Sequence, residues 1–205
     1  MIYFHPRVPR LIQAYRERYP GVLLSSVEGN MPDLVKAVQT GSVDVAFVRL
    51  PLEHNEAIAI HPLVDETMRI VLPSYHPQAR KRSVSLATLA QEKLILAPRA
   101  LGPGLYDTII ASCQRAGFSP ILGEEGMQVA SILSLVAAGF GISIVPRTVE
   151  QIRVDGIVYL PIKGVSPRTA ISLAVLKDTR SAVIRNFVAL ARSRARALVP
   201  PFLRR

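Results

Sequence analysis

Three turns that each precede a predicted helix carry residues suited to binding an anion. They are Asn30-Met31-Pro32, Gly102-Pro103-Gly104 and Met127-Gln128-Val129. The first N–H groups of a helix have no partner within it, and the helix dipole adds partial positive charge there, so such ends bind carboxylates without a formal cation. We therefore predict that a ligand site is lined by Asn30, Met31, Pro32, Gly102, Pro103, Met127 and Gln128. The alternative is that these glycines and prolines only shape turns.

Arg99, Phe47 and Val48 are further candidates for ligand contact. Arg99 stands shortly before the Gly102 turn, and a guanidinium can bind a carboxylate through two parallel hydrogen bonds. A solvent-exposed arginine without a ligand fits the sequence equally well. Phe47 and Val48 close a predicted buried strand, and ligands of α/β sheets lie off the carboxyl ends of strands. Phe47 suits a hydrophobic core as well as a ligand site.

The sequence contains no pattern typical of catalysis or metal binding. It has no Gly-x-Ser-x-Gly turn, no phosphate-binding loop and no His/Cys spacing of a zinc site. Glu124 and Glu125 are adjacent on a predicted strand and point to opposite faces, which does not suit an acid–base pair. The one cysteine, Cys113, is predicted to be a small buried hydrophobe rather than a redox sensor. We expect neither an enzyme nor a bound cofactor or metal.

Two similar strand–helix–strand units would position the first and third of these turns. Their elements are a strand at 22–27, a helix that begins near Pro32 with Asn30 as its cap and ends at Gly41, and a strand at 43–48, and then a strand at 121–125, a helix at 129–138 and a strand at 142–145. The apolar strand at 43–48 is typical of a parallel strand covered on both faces. If the two units faced each other, the space between them would be a binding cleft.

The spacing of apolar residues predicts the remaining elements. They are helices at 6–19, 86–91 (capped by Ser85), 105–116, 146–153 and 182–198, and strands at 57–60, 68–72, 94–97, 157–162 and 170–176. In the last helix, we expect Val183, Phe187, Leu190 and Ala191 to face inward. The chain should cross to a second subdomain near Ser74 and later return. The predicted subdomains are 1–74 plus 172–205 (with its first strand missing) and 75–171.

Composition narrows the class of protein. The 205 residues carry a net charge of +10, and residues 177–205 hold eight Lys or Arg against one acid. That basic tail is either a solvated helix face or a surface that works beside a polyanion such as DNA. The sequence has no compact helix–turn–helix of its own. It also lacks a membrane-spanning run and a signal peptide, and with a single cysteine it is expected in the cytoplasm.

Several motifs resemble one family when they are read in order. They are Glu28-Gly29-Asn30, the run from Gly41 to Val48, His76-Pro77, Gly117-Phe118-Ser119-Pro120 and the run from Leu135 to Pro146. Together they look like the effector-binding domain of LysR-type transcriptional regulators, over essentially the whole chain. The resemblance implies an α/β fold of the type II periplasmic-binding-protein kind, with two Rossmann-like subdomains joined by two crossover strands.

The resemblance also implies function and partners. A small-molecule effector, carboxylate or aromatic-derived, would bind between the subdomains, and homodimers or homotetramers would form, with helices 31–40 and 182–198 as candidate contacts. DNA would be bound only through an N-terminal winged helix–turn–helix, which this sequence lacks. Met31 stands where Thr or Ser is common in the family. The alternatives are a solute-binding protein of a transport system and, less well supported, an enzyme on the same scaffold.

Overall fold

Seven strands and five α-helices form in the residues that the structure, a computed structural model, describes: residue 2, residues 5–53 and residues 55–196. The helices are α1 (Arg7–Arg18), α2 (Met31–Gln39), α3 (Pro103–Arg115), α4 (Val129–Ala137) and α5 (Ala182–Arg196). The strands are β1 (Ala46–Leu50), β2 (Ile58–Pro73), β3 (Lys93–Leu96), β4 (Ile121–Glu125), β5 (Ser143–Pro146), β6 (Ile157–Pro161) and β7 (Arg168–Leu176). Short 3-10 helices lie at Leu86–Leu89, Arg99–Leu101 and Arg147–Gln151.

The chain divides into two compact units. Glu66–Thr169 form one, here called the continuous unit, and Ile2–Asp65 with the chain from Ala170 onward form the other, the discontinuous unit. Strands β2 and β7 each pass from one unit into the other. The predicted subdomain limits near residues 74 and 172 stay a prediction.

In the discontinuous unit, helices cover both faces of an antiparallel strand pair. β1 runs antiparallel to β7, with Ala46 opposite Ala174 and Leu50 opposite Ala170. α2 packs on one face through Val38, and α1 and α5 pack on the other through Tyr15 and Phe187. The expectation of a parallel strand at 43–48 was wrong for this pairing. Burial of both faces makes a strand apolar throughout in either orientation, so the apolar run could not distinguish them.

The predicted strand at 22–27 is also wrong. Residues 23–30 carry no helix or strand, and the side chains of Leu23, Leu24 and Val27 are exposed, Leu23 to 97%. A strand exists only where a neighbour pairs its backbone N–H and C=O groups, and no pairing with this segment is found among the described residues. Apolar residues in sequence therefore did not suffice for a strand here.

The continuous unit holds a second core around β2. β5 and β6 flank its second half, both antiparallel to it, and β3 pairs in parallel with β4. Ile70 and its alternate neighbours face α3 and Cys113, whereas Val71 faces α4. This is the two-sided alternation expected of a strand between two helix layers. The predicted strand at 121–125 is confirmed, and the predicted helix at 129–138 is confirmed to within one residue.

Four further expectations required correction. The strands predicted at 57–60 and 68–72 are one strand, because His61-Pro62 stays extended instead of turning. Residues 86–91 and 146–153 form short 3-10 helices rather than α-helices, and the Ser85 side chain caps nothing. Val183 is 44% exposed rather than inward, whereas Phe187 and Ala191 are buried as predicted. Residues 197 and 198 of the predicted last helix lie outside the described residues.

Candidate functional site

The N-terminus of α4 begins at a turn that only glycine fits. The Gly126 N–H donates to the Leu96 carbonyl at 3.0 Å. A Cβ on Gly126 would lie 2.5 Å from Ile132 Cγ1 and 2.8 Å from the Ile132 nitrogen. Gln128 then takes the cap position in extended conformation, and its side chain caps nothing. The first turn holds no acid, and Met127, 65% exposed, stands beside it.

The N-terminus of α3 is open in the same way. Gly102 occupies the cap position, its N–H donating to the Arg99 carbonyl at 3.1 Å. Pro103 is the first helical residue, where its missing N–H costs nothing. No side chain caps this end, and its first turn has no acid. These two helix ends therefore offer partial positive charge that no carboxylate of the first turn offsets.

Arg99 already has a partner. Its Nε and Nη2 donate to Asp107 Oδ1 and Oδ2 at 2.8 and 2.7 Å, a bidentate pair between two exposed side chains. The hydrogen bond from Arg99 lowers the pKa of the Asp107 carboxyl; burial opposes this shift, and the charge of Arg99 adds to it. A ligand carboxylate that uses the same face of the guanidinium would have to displace Asp107.

The N-terminus of α2 is closed by its own residues. The Asn30 Oδ1 accepts from the Asp33 N–H at 2.9 Å, and the Asn30 amide donates to Asp33 Oδ2 at 2.8 Å. The predicted cap is thereby confirmed, with Pro32 in the first turn. Asp33 also puts a negative charge at this end, which disfavours an anion there compared with α3 and α4.

Met31, Phe47 and Val48 lie where α2 meets β1. Met31 Sδ accepts the backbone N–H of Arg49 at 3.4 Å, so the thioether ties α2 to the strand. Val48 is fully buried under α2. Phe47 is partly buried and meets the Phe187 ring edge-on at 6.3 Å between centroids. The contacts of Phe47 and Val48 are those of core residues.

The ten predicted site residues thus fall into two groups of five. The discontinuous unit holds Asn30, Met31, Pro32, Phe47 and Val48, and the continuous unit holds Arg99, Gly102, Pro103, Met127 and Gln128. Within each unit, elements bring several of them together: α2 with β1 in the first, and the Arg99–Leu101 turn with α3 in the second. Contact of these ten residues with a ligand stays a prediction.

Two buried charged residues lie outside the set of ten predicted site residues. Arg49 is 4% exposed, although a charge this buried is rare without compensation. Glu66 is also buried, and its Oε2 accepts both the backbone N–H and the hydroxyl of Thr148, at 3.0 and 2.9 Å. The only signal in the sequence is an arginine directly after an apolar strand.

Cys113 is buried, as predicted, and burial raises its thiol pKa to about 11. At neutral pH it is therefore a thiol rather than a reactive thiolate. Among the described residues, no group of three or more His, Cys, Asp or Glu side chains is arranged to hold a metal ion. Nor does that part of the chain contain a helix with the length and apolarity needed to cross a membrane.

Comparison with known proteins identifies relatives that are HTH-type transcriptional regulators. HTH-type transcriptional regulator BudR of Raoultella terrigena is 34% identical over 90% of this chain and 64% of its own length. TtuA of Agrobacterium vitis, also an HTH-type transcriptional regulator, is 32% identical over 77% of this chain and 52% of its own length. The chain therefore spans about half to two thirds of the length of these relatives. Both relatives are transcriptional regulators.

Solved structures support the same conclusion about the fold. The BenM effector-binding domain with its effector benzoate superposes with a TM-score of 0.81, at 28% identity over 94% of this chain and 89% of that one. CbnR, a LysR family transcriptional regulator, gives a TM-score of 0.79 at 26% identity, over 92% of this chain and 65% of that one. The predicted type II periplasmic-binding-protein fold is thereby confirmed. The "LysR substrate binding domain" family matches residues 4–196, and the chain belongs to that family.

Proposed function

We propose that this chain is the ligand-sensing regulatory domain of a LysR-type bacterial transcription factor. It binds a small carboxylate or aromatic-derived effector, and binding controls the attachment of a separate N-terminal domain to DNA. It carries out no catalytic step, and it works in the cytoplasm, where the DNA is. The family match over residues 4–196 carries this proposal. The similarity to a domain solved with benzoate supports the class of ligand.

Acids and capping side chains at the helix N-termini decide which of the proposed residues are the better candidates for contact with an anion. The effector carboxylate is expected at the open ends of α3 and α4, through Gly102, Pro103, Met127 and Gln128, because neither end has an acid or a capping side chain. Arg99 contributes when it exchanges Asp107 for the ligand. Asn30, Met31 and Pro32 are proposed for uncharged contacts with a ligand, since Asp33 makes the α2 end unfavourable for an anion. Phe47 and Val48 rank lowest, because they pack in the core behind α2.

Thermal denaturation with a panel of aliphatic and aromatic carboxylates tests the proposal. A ligand present at about a hundred times its Kd stabilises the folded state by about 2.7 kcal/mol, which raises Tm by several degrees for a domain of this size. At least one member of the panel should do so at millimolar concentration. Complete absence of a shift across the panel would contradict effector binding by this chain.

A pair of variants in α4 locates the site. Ser131 lies in the exposed first turn, and Ser134 is exposed one turn later. Ser131→Asp places a negative charge at the helix end, which suits the helix but repels an anionic ligand. We expect a loss of affinity of about ten-fold or more for the stabilising carboxylate. Ser134→Asp adds the same charge farther from the end and should change affinity about two-fold at most. Equal effects would move the site away from α4.

The relatives do not favour a solute-binding protein of a transport system, because they are transcriptional regulators.

We further propose that the domain assembles into homodimers or homotetramers. Exposed apolar side chains in both units support assembly, namely Leu23, Leu24 and Val27 in one unit and Ile121 and Leu122 in the other.

A further inference from the structure

Two packed helices of the discontinuous unit concentrate positive charge. α1 and α5 together contain eight arginines and one acid, Glu17. Their inner faces meet in the core, where the Tyr15 hydroxyl donates to the Val183 carbonyl at 2.9 Å and the Tyr15 ring packs on Phe187 at 4.9 Å. The two helices are therefore packed against each other through their apolar faces.

The exposed arginines of these helices have little local neutralisation. Arg10, Arg16, Arg192 and Arg194 are exposed, and none of the ion pairs found among the described residues involves them. Glu17 accepts a hydrogen bond from Gln13 at 2.9 Å. The positive field also reaches a neighbouring group: burial and, secondarily, the charge of Arg192 lower the pKa of His61.

The spacing on α5 suits a phosphate backbone. Arg185 and Arg192 are seven residues apart, which puts them on one flank of the helix, about 10 Å apart along its axis. That length covers about three phosphates of one strand of a duplex. Guanidinium groups bind phosphate oxygens through paired hydrogen bonds. Arg185 is already directed along the helix by its Nη1, which donates to the Arg180 carbonyl at 2.8 Å.

An anionic membrane is the less suitable polyanion. A helix that lies in a membrane surface inserts its apolar face between the lipids. The apolar face of α5 is buried within the protein, where Ile184, Phe187 and Ala191 pack against α1. Apart from Val183, the exposed side chains in the described part of α5 are small, polar or charged, so α5 has no apolar face to insert, and charge with fixed spacing matches nucleic acid better than lipid.

We propose that the outer surface of α1 and α5, the arginine surface, binds the phosphate backbone of double-stranded DNA directly. The contact is independent of sequence. It adds to the DNA binding that the family resemblance assigns to a separate N-terminal domain, and it belongs to this 205-residue chain. Its test therefore does not depend on effector binding.

Fluorescence anisotropy with a labelled random-sequence duplex of about 30 base pairs tests the proposal on the 205-residue chain. Neutralising three phosphates should weaken binding about 40-fold between 50 and 200 mM salt. The variant Arg185→Gln, Arg192→Gln, Arg194→Gln should bind at least ten-fold more weakly at 50 mM salt and lose most of the salt dependence. Glutamine retains helix propensity, and circular dichroism confirms the fold of the variant.

A matched control removes the same charge elsewhere. Arg80, Lys81 and Arg82 are exposed in a loop of the continuous unit, and their triple change to glutamine lowers the net charge equally. This control should bind DNA within about three-fold of the unchanged chain, since charges outside the arginine surface make no direct contact with the bound phosphates and salt screens their longer-range effect. Equal weakening of both variants would overturn the proposal, as would absence of DNA binding at 50 mM salt. Binding to phosphatidylserine vesicles that the α5 variant loses, without binding to DNA, would replace it with a membrane surface.

Discussion

Among single residues, the Arg99–Asp107 pair controls how much positive charge the Gly102 turn can offer a ligand. The two parallel hydrogen bonds, at 2.8 and 2.7 Å, hold the Asp107 carboxylate ionised. Its lowered pKa means that the pair contributes stability above the ordinary carboxyl pKa of about 4. That contribution is lost as the pH falls through the lower folded-state pKa. Because both side chains are well exposed, the contribution is small.

Replacing Arg99 should therefore move the titration of Asp107. In Arg99→Gln, we expect the pKa of Asp107 to rise towards its ordinary value, because both the hydrogen bond and the charge that favour the ionised form are removed. The measurement is an NMR titration of the side-chain carboxyl carbon between about pH 2 and pH 6. The other carboxyl resonances serve as internal controls. An unchanged midpoint for Asp107 would show that the pair does not persist in solution.

Roles that depend on neighbouring residues in the sequence could be predicted, but contacts between distant segments could not. The cap at Asn30 depends on a residue three positions away and was predicted correctly. The burial of Val48 depends on α2 and on Ser172, which lies opposite it on β7. The partner of Met31 Sδ is a backbone N–H on another element. Contacts that are distant in sequence leave no local pattern, so they could not be foreseen.

Among the elements, the turn into α4 depends on close backbone approach. In Gly126→Ala, the new Cβ would lie 2.5 Å from Ile132 Cγ1 and 2.8 Å from the Ile132 backbone nitrogen. The helix backbone cannot yield as a flexible side chain would. We expect a loss of about 1–3 kcal/mol in the free energy of unfolding, measured by urea denaturation.

Gly21 is the matched control for that substitution. A Cβ there meets nothing within 4 Å, and its φ is not positive. Gly21→Ala should change stability by no more than about 0.5 kcal/mol. If the two variants were equally stable, α4 would have to tolerate a displaced first turn, and its N-terminus could not serve as a fixed anion site.

Element prediction succeeded where local signals were sufficient. α2, α4 and β4 each have a capping residue, a flanking glycine or a periodic apolar pattern that lies within or next to the element itself. It failed at 22–27, where apolar composition needs a lateral partner to become a strand. The same cause explains the wrong prediction of parallel pairing for β1. A sequence indicates that a strand is buried but not the direction in which its neighbour runs.

For the whole molecule, exposed apolar side chains predict self-association. Leu23 and Val27 lie on a segment without secondary structure and face solvent in the isolated chain. We expect the chain to be dimeric or larger at about 100 μM, since monomers of soluble proteins rarely leave such patches open. Light scattering after gel filtration measures the mass. Leu23→Ser with Val27→Ser should shift the chain towards monomer.

Val165 provides the control, because it is 98% exposed and belongs to the continuous unit, whereas Leu23 and Val27 belong to the discontinuous unit. Val165→Ser removes an exposed hydrophobe of the same kind and should leave the mass unchanged. A pure monomer of the unchanged chain at that concentration would contradict the prediction. The candidate contacts on α2 and α5 stay predictions beside it.

The discontinuous unit sets an order of events during biosynthesis. Leu11 and Tyr15 of α1 pack against Phe187 and Val188 of α5. These α5 residues leave the ribosome roughly 170 residues later. At bacterial rates this interval lasts about 10–30 seconds. All of residues 66–169 emerge within it, so the continuous unit can mature first. Until α5 is synthesised, the apolar face of α1 stays uncovered on the nascent chain, which makes this stage of synthesis prone to aggregation.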